Sequence, residues 1–403
     1  PPEPSQAGAV VPPRMTAETP PTWNDSRLTG QVAAPCRGPD PVARGGRVVV
    51  DDQYGAGRLT DVDGVAVGHW TDSVAQTGCT VVLFDPAVVA SGEVRGGAPA
   101  SHELALLDPT ATVQTIDAVV LSGGSAFGLA SAIGVTAWCE DAGRGLETIG
   151  GRVPIVVGMS LFDLVVGDAS VRPGAEQGRM AAEAAASQKG QAAGADGPAA
   201  TGSVGLGRIG AGTGATISKW RGLDQIAPGG LVGAVRRDGD LIVAALVAVN
   251  PWGDVHGAAH DGEAWPALPP PGSTGLEHDT SDGSTPGHPG SQGTFANTTI
   301  GVVVTNAALD KLGCHHVARG AHDGLARAIT PPHSHVDGDA FVAAATGQVP
   351  AAVELVRAHA VEVVDQAIRS VAHHAGARPG EAVSPHPAGS DIGARSGDPA
   401  ERR

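Results

Sequence analysis

A chain of 403 residues is long enough for two or three domains at about 150 residues each, although a mixed α/β fold can spend that length on one. Its formal charge of −16 repels phosphate backbones and its 26 Lys+Arg residues form no long run, which sets nucleic acid aside as a partner. No apolar stretch approaches the roughly 20 residues of a membrane helix, no basic-then-apolar leader opens the chain, and four cysteines without CxxC spacing are too few for a disulfide framework. The expectation is a cytoplasmic protein with no membrane partner, with Cys36, Cys79, Cys139 and Cys314 reduced and buried.

Residues 1–56 are rich in Pro, Gly and Ala and residues 376–403 repeat that character, so both read as disordered tails. Between them, 57–375 reads as a single domain whose core is Val, Ala, Leu and Ile, since aromatic residues make up only 3% of the chain. Short apolar runs bounded by Gly, Asp or Pro predict buried strands at 78–84, 117–121, 153–157, 231–235 and 241–249. Residues 125–142 follow a Gly-Gly turn and predict a helix with Ser125 as its N-cap, and the Ala-rich stretch 174–190 predicts a second. The stretch 256–296 is crowded with Gly, Pro, Ser, Asp and His and has no periodicity, so it reads as a long exposed loop. After residue 299 the order is strand, helix over 307–329, strand over 340–346, and a last helix over 351–375.

The loop ends abruptly at Asn297-Thr298-Thr299, just before the strongly apolar IGVVVTNA. Threonine's β propensity and asparagine's fitness for turns are an ordinary explanation of that triplet. A hydroxyl at the head of a central strand, behind a segment that can leave once cut, is also what an N-terminal nucleophile hydrolase needs. The freed α-amine can then serve as general base for its own hydroxyl.

Other motifs are weaker. Gly205 to Gly210 satisfies GxGxxG but follows no apolar strand, and residues 210–219 lack the GK[ST] of a phosphate loop and read as backbone packing. Gly123-Gly124-Ser125-Ala126-Phe127 misses the final glycine of GxSxG, which leaves Ser125 as a helix cap rather than a nucleophile. His315-His316 and His333-x-His335 are supported by no HExxH or Cys/His set and read as solvated loop histidines rather than metal ligands. Asp337-Gly338-Asp339 is either a plain turn or a carboxylate pair that orients a nucleophile.

Taken together and in order, GHWTDSVAQTGCTVVLF (68–84), VRGGAP (94–99), AVVLSGGSAFGLASAIGV (118–135), GAGTGATISKWRG (210–222), AVNPWGDV (248–255), NTTIGVVVTNA (297–307) and DGLARAI (323–329) resemble the L-aminopeptidase/D-esterase and β-aminopeptidase family of self-processing hydrolases. The resemblance covers roughly 57–350 and implies a four-layer αββα sandwich of the N-terminal nucleophile hydrolase type, with its own strand connectivity. It implies an α chain to 297 and a β chain from 298 that stay together, a homo-oligomer of such αβ units, and no metal or organic cofactor. The family's scissile bond falls at Asn297-Thr298 and its nucleophile at Thr298, with Thr299 as the alternative because a gap-free match through the strand fits it equally. The oxyanion-stabilising asparagine matches Asn250, and the polar pair near the nucleophile matches Asp337 and Asp339, the first of which is often Ser elsewhere in the family.

One departure bears on substrate. Where some aminopeptidase members place an acidic residue and a tyrosine ahead of an aspartate, this chain reads Ser160-Leu161-Phe162-Asp163, so Ser160, Phe162 and Asp163 are the expected substrate-binding positions without the expected charge. The substrates implied are small amides or peptides, aminopeptidase-like or of the pantetheine type. Two rivals remain: an acyltransferase that resolves the same acyl-enzyme with an amine, and a non-catalytic binding protein of the same fold.

Overall fold

The computed structural model describes residues 48–49, 59–193, 205–264 and 297–374, all within one contact unit. Cys36, the loop residues 265–296 and the C-terminal tail lie outside the described residues, as does the N-terminal tail apart from Val48–Val49.

Two sheets carry the fold. The larger takes β1 (Val48–Val49), β4 (Val89–Val94), β8 (Gly230–Asp238), β9 (Leu241–Val249), β10 (Ile300–Ala307) and β11 (Ala340–Val349), in the order β1-β8-β9-β10-β11-β4. The smaller takes β2 (Val65–Asp72), β3 (Thr77–Phe84), β5 (Ala100–His102), β6 (Ala118–Ser122) and β7 (Val156–Ser160), in the order β2-β3-β6-β7-β5. Pairing is antiparallel throughout except for β10 with β11 and β6 with β7.

Alternation along the strands explains the layering. In β10, Val302 and Val304 join β2, β3, β6 and β7 side chains such as Val67, Val82, Val119 and Val157 in a core between the sheets. Val303, one residue out of phase, points the other way into a second core, with Val317, Leu325, Val363 and Ile368 of α3 (Lys311–Ala328) and α4 (Val353–Arg369). On the far side, Val81, Val120 and Val156 meet Val135 and Ala181, Ala182 and Ala185 of α1 (Ala130–Asp141) and α2 (Ala175–Ala193). The strands are therefore buried on both faces, which is why they read as continuous apolar runs. The result is the αββα sandwich.

Several local expectations are corrected. The segment 1–56, expected as a tail, contributes β1, which pairs Val48 and Val49 with Arg236 and Val235. The helix expected over 125–142 breaks at Leu129 into Ser125–Gly128 and α1, and the last helix breaks at Ser370 into α4, ending at Arg369, and a short helix over Val371–His374. The strand expected at 153–157 runs over 156–160. Ser125 does not cap its helix: it lies at φ 54 inside the first turn, and Gly124 at φ 81 stands before it. A carboxylate from across the fold holds that turn, because the Gly124 N–H donates to Asp163 Oδ1 at 2.7 Å. Residues 256–264, expected as the start of the loop, are held by His256 to the Thr330 hydroxyl at 2.8 Å and His260 to the Gln225 carbonyl at 3.0 Å.

Cys79, Cys139 and Cys314 are buried and unpaired, and burial pushes each thiol up to about 12, so none is a nucleophile at neutral pH. No helix among the described residues is long and apolar enough to cross a membrane.

Candidate active site

Topology gathers three distant segments at one end of the larger sheet. Strand β9 runs antiparallel to β10 and ends at Val249, just before Asn250, while β11 runs parallel to β10 and begins just after Asp339. The register pairs Ala248 with Ile300 and Ile300 with Ala340, so the residues just outside the three strands face one another. These are Asn250, Thr298 and Gly338.

Thr298 is 3% exposed and held on every side. Its amide N–H donates to the Asn250 carbonyl at 2.8 Å, its hydroxyl contacts the Asn297 carbonyl oxygen, and the Gly338 N–H donates to that hydroxyl at 3.1 Å. Glycine is required at 338, because a Cβ there would stand 2.7 Å from the Thr298 Oγ1 and 2.7 Å from the Ala98 carbonyl oxygen. Thr299 is fully buried and its hydroxyl has no hydrogen-bond partner among the described atoms. Its amide N–H donates to Asp339 Oδ1 at 2.7 Å.

Asn250, with no exposed surface, spans both sheets: its Nδ2 donates to the Phe162 carbonyl at 3.0 Å, and its Oδ1 accepts from the Thr216 N–H at 2.9 Å. The same Oδ1 accepts from Lys219 Nζ at 2.9 Å, and that ammonium also reaches the carbonyls of Thr216, Asn250 and Pro251 at 2.6, 3.1 and 3.2 Å. Lys219 belongs to the site although no motif pointed to it. It lies at the end of the Gly-rich stretch whose backbone packing was expected, and its role is set by a carbonyl 31 residues away.

Asp337 and Asp339 are both buried and fully engaged. Asp337 accepts from the Trp252 N–H at 3.1 Å and from the Ser334 hydroxyl at 2.6 Å, and Asp339 joins the Thr299 amide to His333 Nδ1 at 2.9 Å. His333 is therefore not the solvated loop histidine expected, and His315 and His316 lie on α3 rather than in a loop. No group of three or more His, Cys, Asp or Glu placed to hold a metal occurs among the described residues.

Burial, reinforced by the Asp339 charge, raises the Asp337 carboxyl from 3.8 to about 7, and burial lowers Lys219 from 10.5 to about 7 against the pull of both carboxylates. Between pH 3.8 and about 7 the folded chain holds a proton on Asp337 that the unfolded chain has lost, so this group's contribution to stability falls as pH rises through that window. Lys219 acts oppositely above it: between about 7 and 10.5 the unfolded chain binds the extra proton and stability rises with pH. The thermal midpoint of the wild type relative to Asp337→Asn is expected to drop from pH 3.8 to about 7. Thermal melts of both proteins across that range measure it, and a constant difference would show that the buried carboxyl keeps its ordinary pKa.

The three expected substrate-binding residues are placed differently from one another. Ser160 is buried, with its hydroxyl on the Ser122 and Gly123 carbonyls at 3.1 and 3.0 Å. Asp163 accepts from the Thr77 hydroxyl and the Gly124 N–H, both at 2.7 Å, and burial raises its pKa. Phe162 meets the site through its carbonyl on Asn250.

The sequence profile of peptidase family S58 matches residues 57–383. The chain belongs to that family. An uncharacterized aminopeptidase of Mycobacterium leprae is 40% identical over 73% of this chain and 79% of its own length. A 6-aminohexanoate-oligomer endohydrolase of Kocuria is 27% identical over 72% of this chain and 75% of its own length. Among solved structures, a Burkholderia β-aminopeptidase covers 81% of this chain and 89% of its own at a TM-score of 0.54 and 22% identity. The L-aminopeptidase D-ala-esterase/amidase of Ochrobactrum anthropi, described as a variant of the Ntn hydrolase fold, covers 81% and 87% at 0.54 and 20%. The S58 chain thus has the N-terminal nucleophile hydrolase fold and belongs among peptide-bond hydrolases.

Proposed function

We propose that this S58 member cuts itself between Asn297 and Thr298 and then hydrolyses small amides with Thr298 as nucleophile. The observation that carries this reading is the convergence on Thr298 of the Asn297 carbonyl, the Gly338 N–H and the Asn250–Lys219 pair. Nothing comparable surrounds the Thr299 hydroxyl among the described atoms.

In the precursor, Thr298 Oγ attacks the Asn297 carbonyl carbon through a five-membered ring, the C–N bond breaks, and the acyl group passes to oxygen as an ester. Water hydrolyses that ester, leaving a carboxylate on Asn297 and an amine on Thr298. The new amine inherits the peptide nitrogen's place at the Asn250 carbonyl, which Lys219 shares at 3.1 Å. A neighbouring ammonium and burial both disfavour its charged form, which suits it to accept the proton of its own hydroxyl. With substrate, the same hydroxyl forms an acyl-enzyme, the Asn250 amide donates to the developing oxyanion, and water releases the acid. Intact-mass measurement of the purified chain tests the first step: two masses that sum to the precursor plus one water, with the smaller fragment opening at Thr298, are required.

For substrate, Ser160 brings no charge and the Asp163 carboxylate is occupied by Thr77 and Gly124. A buried ammonium left unpaired costs several kcal/mol. The chain is therefore expected to turn over amides with no free amine beside the scissile carbonyl, pantetheine-type amides among them, better than L-aminoacyl p-nitroanilides. The likeness to 6-aminohexanoate-oligomer hydrolases, whose substrate carries its amine far from the carbonyl, agrees with this. A panel of L-aminoacyl, β-aminoacyl, 6-aminohexanoyl and pantetheine-type amides measures it, and a preference for the L-aminoacyl compounds would overturn it.

A further inference from the structure

The carboxylate of Asp339 joins the Thr299 amide to the His333 ring. One oxygen accepts from the Thr299 N–H at 2.7 Å, and the other faces His333 Nδ1 at 2.9 Å. With the carboxylate as acceptor, this contact assigns the imidazole proton to Nδ1. The imidazole is confined in turn. Its side chain is 15% exposed, its backbone lies at φ 50, and the ring of His322 meets it edge-on with centroids 4.9 Å apart. His322 is itself fixed, with Nε2 on the Glu93 carbonyl at 2.9 Å and its ring against Phe341, and burial drives its pKa down to about 3, so it stays a neutral wall. The backbone carbonyl of Asp339 is taken by the N–H groups of Arg95 and Gly96, which pins the main chain but leaves the carboxylate's rotation to His333 and Thr299.

We propose that His333 is a positioning residue: by donating Nδ1–H to Asp339 it holds that carboxylate across the Thr299 amide, and thereby sets the line along which the Thr298 hydroxyl attacks. Without that donor the carboxylate turns away from Thr299 toward another partner, and the peptide that orients Thr298 loses its anchor. Both self-cleavage and turnover depend on it, because the same hydroxyl performs both. The inference rests on the reading of Thr298 as nucleophile.

The test compares His333→Asn, His333→Gln and His333→Ala in the full chain. Asparagine places an N–H donor on the atom next to Cγ, where Nδ1 stands, whereas the glutamine donor lies one bond further out. Fragment appearance on denaturing gels gives the cleavage rate, and kcat and KM of the matured protein on its best amide give turnover. Misplacing a reacting group by about 1 Å costs roughly 10²-fold in rate, so His333→Gln and His333→Ala are expected to lose about that much in cleavage and in kcat with KM little changed. His333→Asn is expected to keep most of both. Should His333→Ala fail to fold, the contrast between Asn and Gln at matched thermal midpoints decides the matter. Gln and Ala variants that match the wild type, or an Asn variant as slow as Gln, would overturn the role. A wild-type chain that stays uncut and inactive would instead overturn the assignment of Thr298, so the two failures are distinguishable.

Discussion

Thr298→Ala is expected to remain one uncut chain of 403 residues, folded and without amidase activity, whereas Thr299→Ala still cuts. The expectation follows from where the atoms are. Only the residue after the scissile carbonyl can reach it through a five-membered ring, and only that residue carries the new amine afterwards. The Thr298 hydroxyl touches that carbonyl and the Gly338 N–H, while the Thr299 side chain is sealed in the interior with its hydroxyl unpartnered among the described atoms. Because Thr298 is small and lies at a strand end, the alanine variant should melt close to the wild type, which separates loss of chemistry from loss of fold. Denaturing gels, N-terminal sequencing of the smaller fragment and thermal melts together test this. A fragment that begins at Thr299 would transfer the role to that residue.

Asn250→Ala is expected to lower turnover by about 10²- to 10³-fold, the usual cost of removing one oxyanion donor. It should also destabilise the protein, which sequence alone would not suggest. The Asn250 Oδ1 accepts from both the Thr216 N–H and the buried Lys219 ammonium; truncation strands the Thr216 N–H away from water at about 1–3 kcal/mol and takes one acceptor from Lys219, which keeps three backbone carbonyls. Asn250→Asp separates the effects. It keeps the acceptor contacts to Thr216 and Lys219 but loses the amide donor, with an oxygen now facing the Phe162 carbonyl, so it should remain as slow as the alanine variant even though the Thr216 N–H keeps its partner. Full turnover in Asn250→Asp would remove the side-chain amide from the chemistry.

The larger features of this protein were legible because they are written locally. Continuous apolar runs such as LIVAALVAV and IGVVVTNA identify strands buried on both faces, and the change from a Gly, Pro and Ser-rich stretch to a core strand marks the Asn297-Thr298 junction. Asn250 is reached only through the resemblance to the family, and Asp337-Gly338-Asp339 reads equally as a plain turn until the same resemblance places it near the nucleophile. The helix start at residue 125 failed for the opposite reason. A serine after two glycines looks like a cap, but Asp163, on a different strand connection, holds the turn instead.

The chain's residue pattern by itself determined the buried strands, the threonine that heads the central one, and the family blocks through whose resemblance the layers were implied, since each depends on side-chain period or on neighbours a few residues apart. Only the tertiary structure decided how those threonines are served. It put Lys219 on the Asn250 carbonyl, turned Asp339 between Thr299 and His333, and withdrew Ser160 and Asp163 into the seam of the smaller sheet. These relations join residues far apart in sequence, and their strength comes from the exclusion of water. Desolvation moves Asp337 and Lys219 to about 7, and no motif carries that information because burial is a property of the packed sheets rather than of any one segment.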